Sequence, residues 1–409
     1  MVKFFSFLVL AFVCGSLHSK AQTVDSVVLG AGYVNNVYYS FSGSQASSPM
    51  ANWDIAFENQ GYTSSVLANT AKGLAVWSVP GSNGDSFDSA IDTTAVFAQP
   101  QLLNSITTWS NGAFNMGKDE NNDSDFGWGV YNVNNHFVTA SKVFVVKLAN
   151  KQIKKLIIDA LGGGEYSFRY ANIDGSDLQT KTVKKSDFSG KNFGYFSMES
   201  GTSIDREPAK WDLFFGKYTT MVGSTEYNVT GVLTNKSVKT AVYKGGSQKT
   251  ATSEGLTFEE NIGAIGFNWK SFNGTSYVVS DSLAYFVQTA DGKITRIVFT
   301  AFDLSTGYIS FESQALSSTS VEENGSLASS VALYPNPSNG NATALFSTAI
   351  TGAPVEFSVW DILGNKVQNV VIPAESNLMQ YDITGLSSGV YMVTVTVNGH
   401  TSSQKLVIQ

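Results

Sequence analysis

Trp53-Asp54-Ile55-Ala56-Phe57 returns later in the chain as Trp211-Asp212-Leu213-Phe214-Phe215. Read as strands, these segments put Trp53, Ile55 and Phe57 on one face and Asp54 and Ala56 on the other, with the second copy arranged alike. The aromatics anchor a core, each burying about 150–250 Å². An aspartate beside a buried tryptophan is most simply an acceptor for backbone N–H groups of a neighbouring turn. Each copy holds one carboxylate, so a paired-acid catalytic site is the poorer reading, and no catalytic residue is assigned.

The repeat extends outward from these segments. Each follows a Tyr/Phe-rich strand, at 37–41 and at 193–197. Gly127-Trp128-Gly129-Val130-Tyr131 and then 142–147 are echoed by Gly266-Phe267-Asn268-Trp269 and then 283–288. Gly164-Glu165-Tyr166-Ser167-Phe168 corresponds to Gly307-Tyr308-Ile309-Ser310-Phe311. The features keep their order, which predicts a duplicated β unit with a seam near residue 180.

Composition agrees with strands. Of 409 residues, 43% are hydrophobic, enough for real cores, while 14% are charged against the roughly 25% usual in globular domains. Short β-branched or aromatic runs at 143–148, 157–158, 166–170, 294–299 and 308–311 are bounded by Gly, Asn and Asp clusters, and helical periodicity is scarce. The expectation is an all-β protein: antiparallel units at 22–180 and 181–315, a linker at 316–330, and a small β-sandwich at 331–409.

Lys3, the apolar run 4–13 and the small residues of Ser19-Lys20-Ala21 predict a cleaved signal peptide over 1–21. Cys14, the only cysteine, would leave with it, and Val13 before it differs from the small residue of a lipid-anchored precursor. A mature chain without thiols excludes disulfides, Cys-ligated zinc and thiol catalysis. Lys+Arg 26 against Asp+Glu 33 argues against nucleic acid, which needs clustered basic residues. No later run of about 18 apolar residues predicts a membrane span.

Two resemblances follow from the motifs. The Tyr/Phe strand, Trp53 to Phe57, Phe144-Val145-Val146-Lys147, Tyr166 to Tyr170 and Asp174-Gly175 resemble the HmuY family, as do Trp211 to Phe215 and Tyr227 to Asn235, over about 28–315. That resemblance implies an all-β, secreted or surface-held protein of the Bacteroidetes type. Haem is the implied ligand, held between two axial side chains. The mature chain keeps only His136 and His400, with His400 in the C-terminal domain. His136 is then the haem-ligand candidate, with Met50, Met116, Met198 and Met221 as available partners, or else a loop histidine bonded to backbone.

The C-terminal region resembles the type A sorting domain of the type IX secretion system. The matching residues are Tyr334-Pro335-Asn336-Pro337, Val359 to Gly364, Leu386 to Val393 with Gly389 and Tyr391, and Lys405-Leu406-Val407. The resemblance implies an Ig-like sandwich, handling by the type IX machinery, and delivery to the outer-membrane surface or the medium.

Other chemistry is thinner. Gly385-Leu386-Ser387-Ser388-Gly389 matches a nucleophile elbow only formally, because a strand follows it directly. Asp119, Asn121, Asp123 and Asp125 place oxygen side chains at alternate positions, which suits a Ca²⁺ loop or a solvated acidic loop. Trp77, Trp109 and Trp128 are either core residues or a platform for sugar stacking. Together these features describe an exported, non-enzymatic ligand-binding protein. The alternative is an adhesive surface protein that contacts glycans or other proteins.

Overall fold

The computed structural model describes residues 22–60, 64–316, 332–347, 354–373, 378–397 and 400–409. The expected signal peptide with Cys14, residues 317–330 of the expected linker at 316–330, and residue 331 of the expected C-terminal domain lie outside them. The chain divides into two units, 1–317 and 318–409.

Alternation builds the sheets. In Glu165–Asn172, Tyr166, Phe168 and Tyr170 are buried while Glu165, Ser167 and Arg169 are more exposed, the two-residue period of a strand with one face on a core. Five strands of the first unit run in the order Gln179–Lys184, Glu165–Asn172, Ile153–Gly162, Phe144–Lys147, Ala75–Ser78. Five others repeat that order: Thr23–Val28, Tyr308–Leu316, Ile294–Asp303, Leu283–Gln288, Lys239–Lys244. Both central hairpins carry an irregularity in register at the same place, between Ile158 and Ala160 and between Phe299 and Ala301. One short α-helix, Thr93–Phe97, is found among the described residues.

The two copies are not packed as they are written. Gln179–Lys184, which opens the second copy, closes the sheet of the first; Thr23–Val28, which opens the first, closes the sheet of the second. The next strands are exchanged as well. Ile55–Glu58 pairs with Phe193–Ser197, and Leu213–Val222 pairs with Asn35–Tyr39. Each lobe therefore takes its first two strands from the other copy. One lobe packs Ile55, Phe57, Trp128, Phe144, Tyr166 and Phe168 around a core; the other packs Tyr39, Phe215, Trp269, Tyr285, Phe299 and Phe311.

The tryptophans depart from the expected alternation. Ile55 and Phe57 face the large core, but Trp53 packs with Ala56, Leu67, Phe193 and Tyr195 on the opposite side. Trp211 likewise joins Tyr38, Phe214 and Leu233 rather than Leu213 and Phe215. The cause is local. Pairing begins at Ile55 and Leu213, and the chain bends at Asp54 and Asp212, so each tryptophan precedes the strand whose period would have placed it.

The bend is held by the carboxylates. Met198 N–H donates to Asp54 Oδ2 at 2.7 Å. Phe41 N–H donates to Asp212 Oδ2 at 2.8 Å, joined by the Ser40 hydroxyl at 2.9 Å. Met198 and Phe41 each lie just past the exchanged Tyr/Phe strand. Asp54 also receives the Lys72 ammonium at 2.8 Å, both groups being buried.

The second unit is a small sandwich. Ala332–Tyr334, Ala342–Ser347 and Leu378–Ile383 form one sheet. Lys366–Pro373, Pro354–Asp361, Gly389–Val397 and His400–Ile408 form the other. Phe357, Val359, Val393 and Leu406 lie in the core between them.

Replacing Asp54 by alanine leaves the buried Lys72 ammonium only the partly exposed Glu199 carboxylate, at 3.1 Å, and strands the Met198 N–H; it is expected to cost about 3–5 kcal/mol. Asp212→Ala removes hydrogen bonds alone and is expected to cost about 1.5–3 kcal/mol. Chemical denaturation followed by circular dichroism reads both, and equal or negligible losses would contradict this account. A second prediction concerns Lys270, whose ammonium lies over the rings of Trp269, Tyr277 and Phe302 and donates to the Thr230 carbonyl. Burial pushes its pKa down to about 7 from 10.5, so between those values the unfolded chain binds more protons and stability rises with pH. Lys270→Met should therefore raise Tm most near pH 6, with the margin closing toward pH 10 in thermal melts.

Candidate functional site

Where the lobes exchange strands, their aromatic residues meet. Tyr38 and Tyr195 occupy matching positions on the two Tyr/Phe strands, and their hydroxyls stand 3.4 Å apart. Trp53 lies edge-on to Tyr195 with ring centroids 5.1 Å apart, and Tyr38 meets Trp211 in the same manner at 5.3 Å. Trp109 closes the group from a loop, packing on Phe193 and Trp211 and donating its indole N–H to the Thr234 carbonyl at 2.7 Å. These rings wall a cavity of about 70 Å³ whose rim includes Thr70, Ser105, Lys217 and Thr219.

Two charged residues enter this apolar ground from the segment before Trp211. The Arg206 guanidinium lies over the rings of Tyr38, Trp53 and Tyr195. It donates to the Pro49 carbonyl at 3.2 Å and to the Tyr38 hydroxyl at 3.4 Å, and its Nε has no partner among the described residues. Glu207 accepts from the N–H groups of Asn192 and Phe193, the Tyr195 hydroxyl and the Trp211 indole N–H, the last at 2.8 Å. Burial nevertheless pushes the Glu207 carboxyl above its ordinary value and raises the Tyr38 and Tyr195 phenols.

The residues singled out from sequence fall in separate places. Trp53 and Trp211 wall the cavity, whereas Phe57 and Phe215 sit in the lobe cores and Asp54 and Asp212 hold the bends. Of the three further tryptophans, Trp109 lines the cavity, Trp128 is fully buried with its N–H on the Ser64 carbonyl, and Trp77 packs against Phe97. His136 stands in the turn of the Gly129–Asn132 and Phe137–Ala140 hairpin with a positive φ, its Nδ1 2.6 Å from the Tyr131 hydroxyl. The acidic loop uses its oxygens on its own backbone: Asp119 accepts from Asn121 N–H, and Asp125 from Asp119 and Gly127 N–H. Among the described residues, no group of three or more His, Cys, Asp or Glu is placed to hold a metal ion.

Arg206, Glu207, Tyr38 and Tyr195 were not singled out in sequence. Arg206-Glu207 five residues before Trp211-Asp212, in a chain with so few charges, was the available signal. A second missed pair is Asn69 and Asn235, ending Val66-Leu67-Ala68-Asn69 and Val232-Leu233-Thr234-Asn235. Their side-chain amides donate to the carbonyls of Trp53 and Trp211, at 2.9 and 2.6 Å, and fix both tryptophans from behind.

In the second unit the separated motifs converge. The Asn336 side chain donates to the Lys405 carbonyl at 2.7 Å and accepts from Val407 N–H at 2.9 Å, which stitches the Pro-Asn-Pro segment to the last strand. Ser338 continues the pairing with Val407 and Gln409. Gly389 and Tyr391 lie opposite Ile408 and Leu406, and the Tyr391 hydroxyl donates to the Ser387 carbonyl. Gly364 turns the neighbouring hairpin with φ 82°. Tyr334 pairs with Thr343 at the other end of the opening segment. Asn336→Ala breaks both stitches and is expected to cost the second unit about 1–2 kcal/mol, read by denaturation of the full chain.

Comparison with known proteins agrees with this convergence. Residues 332–409 match the family described as a secretion system C-terminal sorting domain. No curated protein matches the chain. Among solved structures, dimeric latent PorU from Porphyromonas gingivalis is similar at 10% identity over 67% of this chain, with a TM-score of 0.17. The chain spans 31% of that one. A biofilm-associated protein BSP domain is similar at 10% identity over 100% of this chain and 85% of its own, also with a TM-score of 0.17. Neither likeness carries an argument, and the HmuY resemblance rests on its quoted motifs alone. Residues 332–409 are a type IX secretion C-terminal sorting domain, and the protein that bears it is exported to the cell surface or beyond it.

Proposed function

We propose that the exported protein captures a small ligand in the aromatic cavity between its exchanged lobes, without transforming it. The observation that carries this reading is a pair of buried donors beside the cavity, Trp53 Nε1 and Arg206 Nε, neither of which has an acceptor among the described residues. Buried polar groups are nearly always satisfied, and a native exception calls for a reason. The lining, mainly aromatic and aliphatic, suits the binding of an apolar body.

Haem capture, the ligand suggested by the HmuY resemblance, is a second reading that rests on one observation: Tyr131 holds the His136 ring at an exposed hairpin turn. A haem bound there would lie on the surface, because a cavity of about 70 Å³ is too small for the macrocycle.

Tryptophan emission titrated with a small-metabolite library, beside haemin watched at the Soret band, separates the readings. The expected result is a saturable emission change that Ala71→Trp, at the cavity rim, abolishes, with no Soret change. A Soret band lost in His136→Ala would transfer the function to haem. A silent library with hits on a glycan array would favour an adhesive role.

A further inference from the structure

The two repeats place the same tryptophan in unequal company. The Trp211 indole N–H meets the Glu207 carboxylate at 2.8 Å. Its counterpart Trp53 is 8% exposed, and its indole N–H has no acceptor among the described residues. Beside it lies Arg206, 6% exposed, whose two partnered nitrogens donate to neutral oxygens and whose Nε has no partner. The shortfall is one-sided: an indole N–H and a guanidinium can only donate. Leaving a buried donor unmet costs about 1–3 kcal/mol, and a buried cation held without a counter-charge costs more.

We propose that the captured ligand is an organic acid whose carboxylate lies between Trp53 Nε1 and Arg206, doing for Trp53 what Glu207 does for Trp211. The assignment rests on the cavity being the ligand site and names the chemistry that site selects. A carboxylate supplies two acceptor oxygens and a negative charge in direct contact, which Glu207, turned to Asn192, Phe193, Tyr195 and Trp211, does not give Arg206; a planar guanidinium is the group that fits it best. A neutral amide brings one acceptor oxygen, no charge, and an NH₂ that needs acceptors the two donors cannot provide.

Size agrees. An apolar cavity of about 150 Å³ takes up benzene. The present cavity, about 70 Å³, has room for a carboxylate-sized group while the body of the acid extends toward the rim at Thr70, Ser105 and Thr219. Lys217 at the same rim donates to the Gly32 carbonyl and adds positive potential along that path. The aromatic walls favour a flat or apolar body over a highly hydroxylated one.

The test uses the full mature chain, with tryptophan emission and calorimetry. The probes are acetate, benzoate and phenylacetate, each set against its neutral amide, with inorganic phosphate as the other anion. At least one carboxylate is expected to bind saturably, its amide at least tenfold more weakly, and phosphate no better than the amide. Trp53→Phe keeps an aromatic wall but removes the indole N–H together with the five-membered half of the ring, and is expected to weaken the carboxylate about tenfold while leaving the weak binding of its amide unchanged. Arg206→Met is expected to abolish its binding, and circular dichroism of both variants checks that the fold survives. Amides binding as well as acids, phosphate binding in their place, or an unchanged affinity in Trp53→Phe would overturn the carboxylate while leaving the cavity as a ligand site. Silence of every probe together with a silent metabolite library would remove both.

Discussion

A carboxylate that reaches across the repeat boundary organises the first unit. Asp54 takes the Met198 N–H and Asp212 takes the Phe41 N–H, and each bond ties the Trp-Asp segment of one copy to the end of a strand from the other. Charge-assisted bonds of this kind are roughly twice as strong as neutral ones. Here they lie at the point where an exchanged strand could slip: a one-residue shift would turn Tyr195 and Tyr38 to the wrong face and undo both sheets. Asn69 and Asn235 complete the device, with backbone N–H groups on the Asp54 and Asp212 carbonyls and side chains on the adjacent tryptophan carbonyls.

The exchange explains why the cavity lies where it does. A lobe built from one copy alone would turn its Tyr/Phe strand toward its own core. Because the strands are traded, Tyr38 and Tyr195 come together at the junction, and Trp53, Trp211 and Trp109 follow them. Arg206 is then held by residues of both copies. Its backbone carbonyl accepts from Ser48, its side chain donates to Pro49 and Tyr38, and its guanidinium rests on Tyr195. A charge so placed is bound to the junction rather than to either lobe.

The strands and the sorting domain were legible in the sequence, because both are written in local pattern. The paired Gly-Glu-Tyr-Ser-Phe and Gly-Tyr-Ile-Ser-Phe segments do form matching hairpins, with matching irregularities opposite Phe168 and Phe311. The strand exchange could not be read, since pairing Ile55 with Phe196 rather than with Tyr39 changes no residue's period or burial. The side taken by Trp53 and Trp211 was hidden for a related reason. Alternation describes a strand, and both residues stand before a bend whose existence depends on an N–H more than a hundred residues away. Arg206 and Glu207 escaped notice because the pair five residues before Trp211 has no counterpart before Trp53, where Ser48 and Pro49 stand, so the repeat did not single it out.

Duplication followed by exchange also gives a reason for the asymmetry of the site. Two identical copies would bring identical groups to the junction, each satisfied by its own repeat, and the result would be an ordinary interior. The copies differ where it matters. Lys72 serves Asp54 while Ser40 serves Asp212, and Glu207 serves Trp211 with no equivalent at Trp53. One half of the junction is thus closed by the protein's own carboxylate, and the other presents donors alone. The bonds at Asp54 and Asp212 go to Met198, Lys72, Phe41 and Ser40 and use neither of these donors, so the groups that hold the fold are not the groups the junction leaves open.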